Sequence, residues 1–382
     1  MSTFTDKEKL SILSDLISIK SVNDDEKLVS EYLNKLFSKH GINSKIIPVG
    51  GNRTDLIAEI GSGHPVLGIS GHMDVVSAGD ESQWASNPFT MTERDGNLYG
   101  RGAADMKSGL AAMVIAMIEI KEQGLLKRGT IRLMATMGEE VGELGSKTFA
   151  TDGTMDDVDA LIIGEPSGWM IAYAHKGSMD IKLTSTGKAA HSSMPDQGYN
   201  AIDPLMDLLV KANHLFRNTD KNSQLMGPLS FNTTIFNGGN QVNSIPENAT
   251  AEINIRTIPE FNNPKVEDTI TKLVADENKS GAKIDMDIYM SQPSIETTGD
   301  SPLVSIAEEI GKKYYGSDVP LGAIPPVTDA SNLLQSKPKE FPFIIFGPGS
   351  DSVHQVDEYV PKDMYLAFIN IYEELFTGYL NN

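Results

Sequence analysis

Four segments with the character of strands run, within a few residues of their ends, into histidine or glutamate. Residues 66–70 lead into Gly71-His72-Met73-Asp74, and 130–136 into Met137-Gly138-Glu139-Glu140. Residues 159–163 end in Gly164-Glu165-Pro166, and the very apolar 341–346 in Gly347-Pro348-Gly349, with His354 shortly after. In an open α/β sheet the crevice outside the carboxyl ends of the strands is where sites form. Four strands that end this way therefore predict one shared edge carrying one site. If the chain stays extended past residue 70, His72 and Asp74 point to the same side, because strand side chains repeat every two residues. A helix is expected over 108–123, closed by Gly124 as a C-cap, with Asp105 at its mouth.

The rest of the chain fits an α/β protein with an insertion. Apolar residues recur at helical spacing over 9–19 and again from Leu28 to residue 37, and 44–48 and 55–60 read as strands. Residues 77–97 form a polar, turn-rich loop. Beyond about Lys176 the order becomes strand 178–185, helix 201–216, strands 229–236 and 249–257, helix 266–276 and strand 283–289. That β-α-β-β-α-β order is ferredoxin-like. The α/β pattern then resumes with helices around 303–315 and 364–380. At 382 residues the chain is long for one hydrophobic core. We therefore expect a discontinuous domain over 1–176 and 294–382, interrupted by a smaller one over 177–293.

Composition narrows the chemistry. There are no cysteines, so disulfides, thiolate metal sites and cysteine nucleophiles are excluded, and a metal would be held by His, Asp and Glu. A net charge of −20 argues against nucleic acid as a partner, since a phosphate-binding face needs clustered Lys and Arg. No apolar run approaches membrane-spanning length. No secretory signal is visible at the polar N-terminus. A cytoplasmic protein without membrane contact is expected.

Each candidate residue has an ordinary reading on its own. Asp105 suits an N-cap, Glu139-Glu140 a solvated pair, Glu165-Pro166 a turn, and an isolated His a surface or structural role. Together they would crowd several carboxylates into one crevice without counter-charge, which is costly. Two divalent cations supply it, since three carboxylates and one hydroxide balance four positive charges. In that arrangement Asp105 bridges, His72 and Glu165 hold one ion, and Glu140 and His354 hold the other. An all-N,O set suits zinc, with cobalt or manganese as alternatives. Asp74 is expected to accept the second ring N–H of His72. Glu139, beside a ligand but not one itself, is placed to act as general base.

These motifs, with Gly100-Arg101-Gly102-Ala103-Ala104-Asp105-Met106-Lys107, resemble the M20 family of co-catalytic metallohydrolases over essentially the whole chain. The resemblance implies a mixed-sheet zinc-hydrolase catalytic domain with an inserted ferredoxin-like α+β lid and dimerisation domain. It implies two Zn2+ per subunit (Co2+ or Mn2+ as alternatives) and a homodimer formed through the lid. It implies hydrolysis of an amide next to a carboxylate-bearing amino acid, so that the partner is a small-molecule N-acyl amino acid. The members that remove succinyl or acetyl groups match best, with dipeptidases as rivals. His191, in Gly187-Lys188-Ala189-Ala190-His191-Ser192-Ser193, resembles a lid histidine that reaches the partner subunit's site to help bind the oxyanion. Asn240 resembles a substrate-contacting asparagine, and Arg256 an arginine that clamps the substrate carboxylate. The desuccinylating members carry paired arginines before the Gly-Ser that opens the lid. Here that position reads His175-Lys176-Gly177-Ser178, which keeps part of the charge and loses the fork geometry. A non-catalytic binding protein is the reading of another class, but a pure binding site needs no base such as Glu139. A nucleotide enzyme is poorly supported, because the glycines at 100 and 102 lack both the G-x-G-x-x-G spacing and a Walker lysine.

Overall fold

The strand expected at 66–70 forms over Val66–His72 with every residue buried. Such a strand needs neighbours on both edges and a layer on each face. The structure, a computed structural model, describes residues 3–381. The chain divides into two units, one running to Ala174 and continuing over Thr297–Gly322 and from Thr328 onward, the other comprising His175–Glu296 and Ala323–Val327.

The first unit begins with helices α1 (Asp6–Ser18) and α2 (Lys27–Lys39), followed by strands β1 (Ser44–Gly50), β2 (Arg53–Ser62) and β3 (Val66–His72). Helix α3 (Lys107–Gln123), strand β4 (Gly129–Thr136), helix α4 (Leu144–Thr151) and strands β5 (Ala160–Ile163) and β6 (Ile171–His175) come next. The second unit contributes β7 (Gly177–Thr186), α5 (Ile202–Arg217), β8 (Ser230–Gly238), β9 (Asn248–Thr257), α6 (Asn263–Lys279) and β10 (Ile284–Gln292). The first unit then resumes with α7 (Pro302–Tyr315), β11 (Phe343–Ile345) and α8 (Lys362–Asn381).

In the first unit the strands lie in the order β1-β2-β4-β3-β5-β11-β6. The central four, β4-β3-β5-β11, are parallel, and β1, β2 and β6 pair antiparallel at the flanks, so the sheet is mixed. Leu67, Ile69, Ile131, Leu133, Ile162 and Ile344 from the sheet join Leu110, Met113, Val114 and Met117 of α3 and Phe368, Tyr372 and Phe376 of α8 in one core. Each such burial stabilises by roughly 1.5–3 kcal/mol relative to exposure. Helix α3 is buried throughout Lys107–Ile120, which fits its all-round apolar sequence. Gly124 ends it in the left-handed conformation, φ 63°, as its C-cap. Its first turn packs against the end of β5 so closely that a Cβ on Gly109 would lie 2.0 Å from the Gly164 carbonyl oxygen. Only glycine permits that approach, which sets Asp105 and Glu165 close together.

The second unit is a four-stranded antiparallel sheet in the order β8-β9-β7-β10, with α5 and α6 as its helices. This is the ferredoxin-like arrangement. In β9, buried Ala249, Ala251, Ile253 and Ile255 alternate with partly exposed residues, and α5 buries Leu205, Leu208, Ala212 and Phe216. Several features escaped the sequence reading, helix α4 among them. Strand β6 was not anticipated, and part of the loop expected over 77–97 pairs into a small ribbon, Thr92–Arg94 with Asn97–Tyr99 and Tyr359–Pro361. Among the described residues, no helix is long and apolar enough to cross a membrane.

Candidate metal centre

The register of the parallel strands brings the candidate residues to one edge. His72, the last residue of β3, lies opposite Thr136 at the end of β4, and Ser70 lies opposite Ile163 at the end of β5. Ile163 in turn lies opposite Ile345 of β11. The segments bearing Glu139, Glu140, Glu165 and His354 therefore leave the sheet side by side. His354 itself is held at φ 63°, a region that non-glycine residues enter at a cost of about 1 kcal/mol or more. Strained positions of this kind cluster at active sites and ligand clamps.

The side chains fall into two sets joined by Asp105. His72 Nε2 lies 3.0 Å from Asp105 Oδ1 and 3.6 Å from Glu165 Oε1. His354 Nε2 lies 3.4 Å from Asp105 Oδ2 and 3.1 Å from Glu140 Oε2. His72, Asp105 and Glu140 also offer ligand atoms all within 4.8 Å of one another. Ligand atoms around a tetrahedral zinc, with bonds of about 2.0–2.1 Å, stand roughly 3.3–3.4 Å apart. The observed separations bracket that spacing. Glu165 Oε1 is buried and has no hydrogen-bond partner, an acceptor that a cation would satisfy. The residues therefore fit a pair of divalent ions.

The electrostatics agree. Burial opposes charge on His72, but Glu165, Asp105 and Asp74 outweigh it and raise the imidazole well above its ordinary value. Hydrogen bonds to Asp105 and Glu140 carry His354 up to about 10. Burial pushes Glu139 and Glu165 well above the usual carboxylate range, with neighbouring acids adding to the effect. Such a cluster of acids around two imidazoles has a strong affinity for positive charge, whether protons or metal ions supply it.

One expectation changed in detail. The nearer acceptor for His72 Nδ1 is the Asp74 backbone carbonyl, at 2.9 Å, while the Asp74 carboxylate stands 3.6 Å away. Strand β3 ends at His72, so the period-two alignment does not extend to Asp74. The Asp74 carboxylate instead accepts the backbone N–H groups of Glu139 and Glu140, at 3.2 and 3.1 Å. It thus holds both ends of that dipeptide. Asp105 does not cap α3, whose N-cap is Met106 without a side-chain bond. Its side chain faces the imidazoles instead.

Comparison with known proteins places this edge in context. Residues 68–377 match the profile of peptidase family M20/M25/M40. The chain belongs to that family. It is a metal-dependent hydrolase of the M20 type. A "probable succinyl-diaminopimelate desuccinylase" from Staphylococcus epidermidis is 42% identical over 405 residues, covering 100% of both chains. The fold is also that of a Staphylococcus aureus tripeptidase, with a TM-score of 0.81 at 22% identity over 100% of both chains. A dinuclear metal-binding peptidase of the M20 family from Bacillus subtilis aligns with a TM-score of 0.72 at 17% identity, over 98% of each chain.

The remaining candidates of this M20 chain lie in the second unit. His191 is exposed, its Nδ1 2.8 Å from Ser193 Oγ. Asn240 is exposed in an open groove with Ser192, Gln241 and Ser244. Arg256 lies on β9 opposite Ser178 and Ser230. The positive charge partly kept at 175–176 is carried by Lys176 alone. His175 is fully buried, and burial lowers its imidazole to about 4, so it is neutral near pH 7. Lys176 donates to the Pro228 carbonyl, at 2.5 Å.

Sequence reasoning missed the residues that support the site. Gly138 has φ 69°, and a Cβ there would fall 2.2 Å from Arg53 Nη2. Arg53 is paired with Asp24 and with the buried Glu26, at 2.7 and 2.9 Å. The buried Asp55 accepts the Met137 N–H at 2.9 Å. The fully buried Glu358 binds the loop that ends at Asp105. Its only signal in the sequence is its place four residues after His354.

Proposed function

We propose that this M20 hydrolase is a di-zinc deacylase, with Co2+ or Mn2+ able to substitute, that splits N-succinyl-LL-diaminopimelate into succinate and LL-diaminopimelate. The observation that carries the hydrolytic reading is the sharing of Asp105. One of its oxygens faces His72 beside Glu165, and the other faces His354 beside Glu140. The substrate rests on the full-length likeness to the Staphylococcus epidermidis relative. A coherent assignment gives His72, Asp105 and Glu165 to one ion and His354, Asp105 and Glu140 to the other.

Bound at these residues, two divalent cations would lower the pKa of a water between them and polarise the amide carbonyl. Glu139 takes the proton from the attacking water and delivers it to the leaving amine. Asp74 fixes the Glu139-Glu140 backbone through its two hydrogen bonds and receives His72 Nδ1–H at its carbonyl. His191 of a partner subunit donates to the developing oxyanion. Arg256 grips the substrate carboxylate, and Asn240 contacts the substrate.

The substrate is tested by kcat/KM of the zinc-loaded protein on N-succinyl-LL-diaminopimelate, N-acetylornithine and a simple dipeptide. At least a hundredfold preference for the succinyl compound is expected, since recognition of a charged group by fitted polar contacts discriminates strongly. A preference for the acetyl compound or the dipeptide would leave the metal chemistry standing and move the specificity. The neutral His175 would then be the first residue to examine.

The dimer, formed through the second unit, is tested by mixing. His191→Ala and Glu139→Gln chains should each be nearly inactive alone. Co-refolded, they should recover up to about a quarter of wild-type activity, because half the molecules are heterodimers and each holds one intact composite site. No recovery in proven heterodimers would exclude a site shared between subunits.

A further inference from the structure

Glu358 has no place in the chemistry above, yet it is among the most completely bonded side chains in the first unit. It is fully buried, and both carboxylate oxygens accept two hydrogen bonds each. Oε1 takes the backbone N–H groups of Ala104 and Asp105, at 2.8 and 2.9 Å. Oε2 takes the Gly102 N–H at 3.1 Å and Arg101 Nη1 at 2.5 Å. The Glu358 carbonyl also accepts the Gly100 N–H, at 2.9 Å. One residue thus satisfies donors from five of the six residues in Gly100–Asp105, a segment with no ladder of its own to bond them.

The anchor is itself fixed. Tyr359–Pro361 pairs antiparallel with Asn97–Tyr99, and Arg101 lies over the Trp84 ring, 5.2 Å from its centroid. Four residues before Glu358, His354 Nε2 faces Asp105 Oδ2 at 3.4 Å. One loop therefore meets Asp105 twice, at its backbone N–H and at its side chain. We infer that Glu358 is the positioning residue that presets Asp105 as the shared carboxylate and ties its placement to that of His354. This rests on the reading that these residues hold the metal ions.

The reasoning is geometric. A bridging carboxylate must present both oxygens in fixed directions, and errors in its backbone are passed directly to its side chain. Backbone N–H groups bonded to a carboxylate are charge-assisted and strong. Partners of this kind behind metal ligands change metal affinity by about 10–100-fold when altered. A glutamine at 358 has nearly the same shape, but its amide nitrogen faces two donors whichever way it is turned. Two of the four bonds are lost, and two N–H groups are left facing another N–H group.

The test is Glu358→Gln, with zinc binding measured by calorimetry and by metal content at buffered free zinc, beside steady-state kinetics and the melting temperature of the metal-free protein. We expect occupancy of two zinc ions to require 10–100-fold more free zinc, kcat to fall under limiting zinc, and KM to stay within about twofold. Native zinc affinity in a folded Glu358→Gln protein would overturn the inference. If that variant does not fold, hydrogen exchange of the Ala104 and Asp105 amides in metal-free wild-type protein decides. Protection there supports a preset loop, and exchange at unprotected rates overturns it. A wild-type chain that takes up no zinc would overturn the metal reading together with this one, whereas a changed substrate preference would touch neither.

Discussion

Glutamine in place of Glu139 is expected to lower kcat by about 10²–10⁴-fold while leaving two metal ions bound. Glu139 belongs to neither set of facing ligands, so an isosteric amide there removes no metal donor. What it removes is the proton acceptor. In the protein as described, burial raises this carboxyl well above its usual range, and the nearby Glu165, Glu140 and Glu143 add to that effect against the opposing pull of His72. Cations held by Glu140 and Glu165 would cancel those acidic neighbours and bring Glu139 back toward the range where it accepts a proton at neutral pH. The backbone of Glu139 stays pinned by Asp74 in the variant, since that bond uses its N–H and not its side chain. Metal content by atomic absorption and kcat on the best amide substrate check the expectation. Retained activity would remove Glu139 from the base role, and loss of metal would make it a ligand.

Why the outline of this site could be read from the sequence while its supports could not follows from the range of the interactions. Strand β3 and helix α3 show themselves through local apolar patterning, and a parallel sheet puts strand ends at one edge, so His72, Glu140 and Glu165 converge without any knowledge of packing. The ferredoxin-like order of the second unit was likewise visible as alternation of strands and helices. Asp74 is a harder case, because two-residue periodicity applies only while the strand lasts, and β3 stops two residues short of it. Glu358 and Asp55 were invisible for another reason. Their partners, Asp105 and Met137, lie far along the chain, and an acid bonded to backbone N–H groups leaves no mark on its neighbours in sequence. His175 shows the same limit in charge. Its residue type suggested a cation, and only burial reveals that it is neutral.

Asparagine at position 105 should do more damage to metal binding than any other single change of equal size. The Asp105 carboxylate is the only side chain with one oxygen toward each imidazole, Oδ1 at 3.0 Å from His72 and Oδ2 at 3.4 Å from His354 among the described residues. An amide keeps the shape and offers one oxygen, so one of the two positions must face an N–H group that cannot donate electrons to a cation. A unit of negative charge is lost as well, where the balance of two divalent ions needs three carboxylates. Stoichiometry should fall from two zinc ions to at most one, and the affinity loss should exceed the 10–100-fold typical of residues one layer out. The fold should survive, because the Asp105 N–H still bonds Glu358, although the metal-free protein loses the attraction to His72 and His354 that holds the Asp105 carboxyl below its usual range. The decisive comparison is therefore a metal titration alongside the melting temperature of the metal-free protein. Two zinc ions retained at native affinity would show that Asp105 does not bridge, and a collapsed fold would show that its carboxylate is structural. Lost metal in a variant that still melts as a cooperatively folded protein, a little below the wild type, would identify Asp105 as the residue through which the two ions are held as a pair.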